Sequence, residues 1–180
     1  MTNFVKNLTD EERAILISVP YRIGVWIGNS DDNTKTQLDD KREAQALEHA
    51  IKRYARAGKK MPFISYIMSH TENSQASWSA WAQNSQDDAV FNDLEAALAI
   101  CNKSDKPIYL KQYRRLIWQI ATIVAQAHNE NRDPDNEMHV DRFFAWIGTY
   151  FGPPKIKKVP ENMSSKEKSA LQKLRAVLKR

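Results

Sequence analysis

The chain has 180 residues, 42% hydrophobic and 27% charged, which suits one folded domain with at most a short appendage and excludes an intrinsically disordered polymer. Its one cysteine, Cys101, rules out an intrachain disulfide and a cysteine-based zinc site, and five glycines are few for glycine-lined phosphate loops. The net charge of +5 is unevenly placed: residues 153–180 hold nine Lys/Arg against two Glu, and residues 1–152 hold eighteen against twenty acids, so the basic character belongs to the tail.

The first residues, MTNFVKNLTDEER, are polar and lack the apolar core of a signal peptide. Thr9 and Glu12 form a capping box that starts a short helix carrying Ala14, Ile15 and Ile17. Pro20 then opens a second helix, with Ile23, Trp26 and Ile27 on one side. After a polar stretch, Asn29 to Asp39, the spacing predicts a long helix from Asp39 to Ala57 with Leu47, Ile51, Tyr54 and Ala55 on its stripe and Gly58 as its stop. Pro62 begins a short apolar helix, Trp78 and Trp81 share a face on the next, and Ser85 with Asp88 starts a helix bearing Val90, Leu94, Ala97, Leu98 and Cys101. Pro107 opens the most apolar helix, with Leu116, Ile117, Ile120, Ile123 and Val124. Its apolar run, Leu116 to Ala127, is too short to cross a bilayer. Val140, Phe143, Phe144, Ile147 and Tyr150 mark one more helix, ending near Gly152.

The expected fold is all-α: a single-domain bundle of eight or nine helices packed around the one that follows Pro107. Residues 1–152 form the helical domain, 153–163 a Pro/Lys linker, and 164–180 a basic amphipathic C-terminal helix begun by a Ser164–Glu167 capping box. The tryptophans and most other aromatics fall on helical stripes and are expected in the core. Leu171, Leu174 and Leu178 on the last helix need a surface, whether this domain, a second subunit, a partner or an anionic membrane, and the narrow stripe without Trp or Phe favours this domain or a partner. Removing residues 155–180 is expected to leave the core folded.

Two regions share one grammar of apolar helix, acidic loop and acid-rich helix start: residues 23–43 and residues 120–137. Each has a small residue late in its apolar lead (Gly28, Ala125) and a glutamate just inside the following helix (Glu43, Glu137), a faint helix–loop–helix repeat. Hard cations such as Ca²⁺ and Mg²⁺ take several oxygen ligands, and Asp31, Asp32, Asp39, Asp40 and Glu43 supply carboxylates at both ends of the first loop. With Asp32 at position 1 of an EF-hand, Asp40 falls at 9 and Glu43 at 12, but Thr34, Thr36 and Gln37 occupy 3, 5 and 6, so the EF-hand pattern fails. The second loop offers Asp133, Asp135 and Glu137, with Arg142 where a bidentate glutamate belongs. Acids at a helix start also cap its free N–H groups and complement its dipole without any ion, so both readings stand.

The string IGVWIGNSDDNTKTQLDDKREAQALEHAI, with its second copy, resembles the tellurite-resistance TerB-like helical group, over roughly residues 20–58 and 113–152. In that group an apolar helix runs into an Asp-rich loop and a helix with an internal glutamate, and the arrangement repeats. Where the group has Asp-Gly after the first helix, this chain has Asp31-Asp32, and the second copy reads His128-Asn129. The resemblance implies an all-helical cytoplasmic protein with an acidic surface, linked to stress response or membrane-associated assemblies and usually without demonstrated catalysis.

His49, His70, His128 and His139 are scattered; His128 and His139 flank the second acidic loop and would make a transition-metal site only if that loop folds back. No serine or cysteine triad signature and no His-Glu-x-x-His helix occurs, so no catalytic residue is assigned. The expected function is a noncatalytic stress-response or interaction module with a protein partner or a second copy of itself. The alternative is a nucleic-acid-associated protein, or one drawn to an anionic membrane surface, contacting polyanions through Lys155, Lys157, Lys158, Lys173, Arg175, Lys179 and Arg180.

Overall fold

The computed structural model describes residues 3–31, 37–58, 61–127 and 164–180. Among the described residues all regular structure is helical: α1 (Asn3–Lys6), α2 (Asp10–Gly28), α3 (Gln37–Ala55), α4 (Pro62–Asn73), α5 (Trp78–Gln83), α6 (Asp87–Asn102), α7 (Pro107–Ala127) and α8 (Ser165–Lys179). The all-α bundle expected from the periodicity is therefore the fold. The helix expected over Val140–Tyr150 and the loop of the second repeat lie outside the described residues.

Both predicted capping boxes are made. Thr9 accepts from the Glu12 N–H and Glu12 accepts from the Thr9 N–H, each at 3.1 Å, and Ser164 and Glu167 repeat the exchange at the start of α8. Gly58, with φ of +53°, takes the left-handed turn after α3 that other residues avoid. The Ser85 cap is not made. Its hydroxyl donates to the Trp81 carbonyl at 2.7 Å, and α6 starts two residues later, at Asp87, after Gln86.

The largest departure is at Pro20, which does not open a helix but lies inside one that runs unbroken for 19 residues. A proline inside a helix has no N–H for the carbonyl four residues back, here that of Leu16. The vacancy is filled from other helices: the Tyr113 hydroxyl of α7 donates to the Leu16 carbonyl at 3.0 Å, and the Thr71 hydroxyl of α4 donates to the next carbonyl, Ile17, at 2.7 Å. Tertiary donors thus replace the lost intrahelical bond, and the helix continues.

That continuity gives α2 a place at the centre beside α7. α2 packs against α3, α4, α5, α6 and α7, and α7 packs against α2, α3, α4, α6 and α8. One cluster of buried side chains joins them, including Leu16, Ile23, Ile27, Ile51, Phe63, Ile67, Leu94, Leu116 and Ile120. The expectation of a single central helix is corrected to a central pair. The C-terminal helix covers this core: Leu171 and Leu174 are fully buried and Leu178 nearly so, with α8 lying on α7 and touching α2 and the Asn29–Asp31 turn.

Candidate functional site

The acidic segment between α2 and α3 starts and ends at a close crossing of those helices. Gly24 and Gly28, one turn apart on α2, face Leu47 and Glu43, one turn apart on α3. A Cβ at Gly24 would lie 2.4 Å from Leu47 Cδ1, and one at Gly28 would lie 3.0 Å from Glu43 Oε2 and 3.8 Å from Val124 Cγ1 of α7. Small residues four apart let the helix axes approach, and here the space on the second glycine is taken by a carboxylate. Glu43 is 5% exposed, so an acid is held in the joint from which the acidic segment springs.

Past that joint, α2 ends in a 3-10 turn, Asn29–Asp31, steadied by the Ser30 hydroxyl donating to the Ile27 carbonyl at 2.7 Å. Asp40 is exposed in the first turns of α3, while Glu43 faces inward. Asp32 and the side chains of Asp31 and Asp39 lie outside the described residues, as do Asp133, Asp135 and Glu137 of the second loop. Among the described residues no group of three or more His, Cys, Asp or Glu comes together.

The tail cations turn partly inward. Lys173 Nζ donates to Asp87 Oδ2 at 2.6 Å and stands 4.9 Å from the centroid of the Phe91 ring. The other oxygen of Asp87 accepts from the Trp26 indole N–H, and the Trp26 ring meets Phe91 edge-on at 4.8 Å. Lys173 above all, then the indole, holds the Asp87 carboxyl below its ordinary value. Arg180 reaches Glu95 at 2.9 Å. Arg175 is half-buried and Lys179 exposed, and Lys155, Lys157 and Lys158 lie outside the described residues.

Sequence reasoning missed a polar seam beside this contact. Arg22, 6% exposed, pairs with Asp93 and donates to the Asn84 carbonyl. Arg22 and Trp26 are four apart on α2, so a single helical face carries both donors to α6 acids, whose identity depends on how the two helices pack. Cys101 is fully buried, and burial pushes its thiol up to about 12, which suits a core residue and not a nucleophile. Burial also raises the phenols of Tyr54, whose hydroxyl donates to Gln119 at 2.8 Å, and of Tyr113. His70 packs its ring on Tyr66 at 4.3 Å, His49 is exposed, and His128 and His139 lie outside the described residues.

No protein-family model, no curated protein and no solved structure matches this chain.

Proposed function

We propose that this chain is a noncatalytic cytoplasmic interaction module of the TerB-like kind, serving in stress response, and that its acidic α2–α3 segment binds Ca²⁺ or Mg²⁺ through Asp31, Asp32, Asp39, Asp40 and Glu43. The observation that carries the reading is Glu43, a carboxylate kept 5% exposed against Gly28 at the base of that segment. A buried acid needs a compensating charge or hydrogen bonds, and a hard cation held with the other acids of the segment is one partner that supplies them. The glycine makes the space for it.

The test is thermal unfolding of the full chain with and without millimolar Ca²⁺ or Mg²⁺. An ion that binds only the folded state at ~100 times its Kd stabilises by ~2.7 kcal/mol. In a chain of this size that is a rise of roughly 5–10 °C. Asp32→Ala or Glu43→Gln should remove the rise. An unchanged melting temperature with both ions would refute cation binding and leave helix capping as the role of the acids.

The alternative, polyanion contact through the tail, is left with fewer free charges than composition suggests, because Lys173 and Arg180 face α6 carboxylates.

A further inference from the structure

Charge is distributed unevenly within the helical domain itself. Residues 49–71 hold five Lys/Arg and residues 106–129 hold four, and neither segment holds an Asp or Glu. The rest of residues 1–152 carries nine Lys/Arg against all twenty acids. The first segment covers the end of α3 and most of α4, and the second covers α7. These three helices pack on one another, so a domain with more acids than bases brings its acid-free stretches together. Lys59 and Lys60, in the first segment, lie outside the described residues.

Arg53 lies in the last turn of α3 and Arg56 just past it, its N–H still donating to the Lys52 carbonyl at 3.3 Å. On α7, Lys111 and Arg115 stand two residues before and after the fully buried Tyr113, so helical periodicity turns both away from the core. Tyr54 ties the two rows together. Its hydroxyl donates to Gln119 of α7, and the guanidiniums of Arg115 and Arg53 both stand near enough to oppose the rise that burial gives the phenol. Arg53, Arg56 and Lys111 are exposed and Arg115 is half-buried. At the border of the face, Glu48 is engaged by Lys52 at 2.6 Å.

Such a face calls for a polyanion, and what accompanies the cations selects among polyanions. A protein interface is centred on buried aromatic or apolar anchors, and a membrane surface is gripped by inserted Trp, Phe or Leu. Among the described residues the exposed large hydrophobic is a single isoleucine, Ile108. Trp78 and Trp81, which the spacing had placed in the core, are half-buried, but they lie on α5 against Tyr21 of α2. Binding by charge alone needs a ligand of dense, regular charge, and duplex DNA offers one negative charge per ~1.7 Å of axis. Arginine forks also match phosphate oxygens two at a time. We infer that the α3–α7 face bearing Arg53, Arg56, Lys111 and Arg115 binds the phosphate backbone of a nucleic acid without reading its sequence.

Fluorescence anisotropy of a labelled DNA duplex of ~20 base pairs, titrated with the full chain from ~0.05 to ~0.2 M salt, tests this. Two duplexes of unrelated sequence should bind alike, with Kd of ~10⁻⁴–10⁻⁶ M and a slope of log K against log salt of roughly −3 to −4 for four phosphate contacts. Arg56→Gln and Lys111→Gln, both at exposed positions, should each weaken the two duplexes equally and flatten the slope by ~1, with helicity and melting temperature unchanged. Lys179→Gln, exposed on α8, removes a tail charge and should change neither affinity nor slope. Unlabelled duplex should compete better, charge for charge, than polyglutamate or phosphatidylserine vesicles. Absence of binding at ~0.05 M salt overturns the inference. Full binding by both Arg56→Gln and Lys111→Gln, equal loss in Lys179→Gln, or stronger competition by polyglutamate or vesicles overturns it too.

Discussion

Replacing Tyr113 by Phe removes one hydroxyl and keeps the ring. The Leu16 carbonyl, which Pro20 cannot serve, then loses the donor that stands 3.0 Å away. Tyr113 and Leu16 are both fully buried, so water does not take the place of the hydroxyl. Leaving a buried acceptor unpaired costs ~1–3 kcal/mol. At ~2–4 °C per kcal/mol for a chain of this length, the melting temperature should fall by roughly 2–12 °C. The cause is isolated by a second change: Pro20→Ala returns an N–H to the helix, and that N–H can reach the Leu16 carbonyl without Tyr113. In the Pro20→Ala background, Tyr113→Phe should therefore cost at least ~0.5 kcal/mol less than in the native background, the scale of coupling between groups sharing one partner. Urea unfolding of the four proteins, followed by circular dichroism, supplies the cycle. A loss below ~0.3 kcal/mol for Tyr113→Phe, or the same loss in both backgrounds, would refute the account of how a proline persists inside α2.

Two further outcomes follow from the α2 contacts. Gly24→Ala places a methyl 2.4 Å from Leu47 Cδ1 in a buried crossing, and overpacking of ~1–3 kcal/mol should outweigh the gain of up to ~1 kcal/mol in helix propensity; an equally stable or stabilised variant would mean that the crossing relaxes freely. Asp87 is held below its ordinary 3.8 by Lys173 first and Trp26 second, so its contribution to stability is fully present above pH 3.8 and is lost as pH falls through the lower folded value. Stability of Asp87→Asn should accordingly fall less steeply in acid than that of the native chain, and an NMR titration midpoint for Asp87 at or above 3.8 would refute the contact.

Much of the fold was legible because it rests on local signals. Capping boxes, the glycine stop after α3 and the three/four spacing of Leu116, Ile117 and Ile120 act through neighbours within one or two turns, which a sequence displays directly. Pro20 misled because its local rule is sound and its exception is supplied from Tyr113 and Thr71, 93 and 51 residues away. Arg22, Trp26 and the two glycines all follow Pro20 on one helix, and what stayed hidden was which residues of α6 and α3 they meet. At the candidate site, the acids were visible as composition, but the inward turn of Glu43 depends on the missing Cβ of Gly28, a property of two helices together.

The C-terminal helix shows why net charge was a poor guide to what the tail does. Its apolar stripe, with Leu171 and Leu174 fully buried, makes α8 part of the core, so removing residues 155–180 would strip cover from α7 and would not leave the core undisturbed, as the composition had suggested. Lys173 and Arg180 are seven apart, and their partners Asp87 and Glu95 are eight apart, so two turns of α8 match two turns of α6 with the chains running the same way. Exposed ion pairs add little stability, so burial of the leucines drives docking and the cations set register by reaching over to α6. Two of the tail's nine cations, Lys173 and Arg180, thus answer carboxylates of α6, and a count of lysines and arginines along the sequence does not distinguish them from the rest.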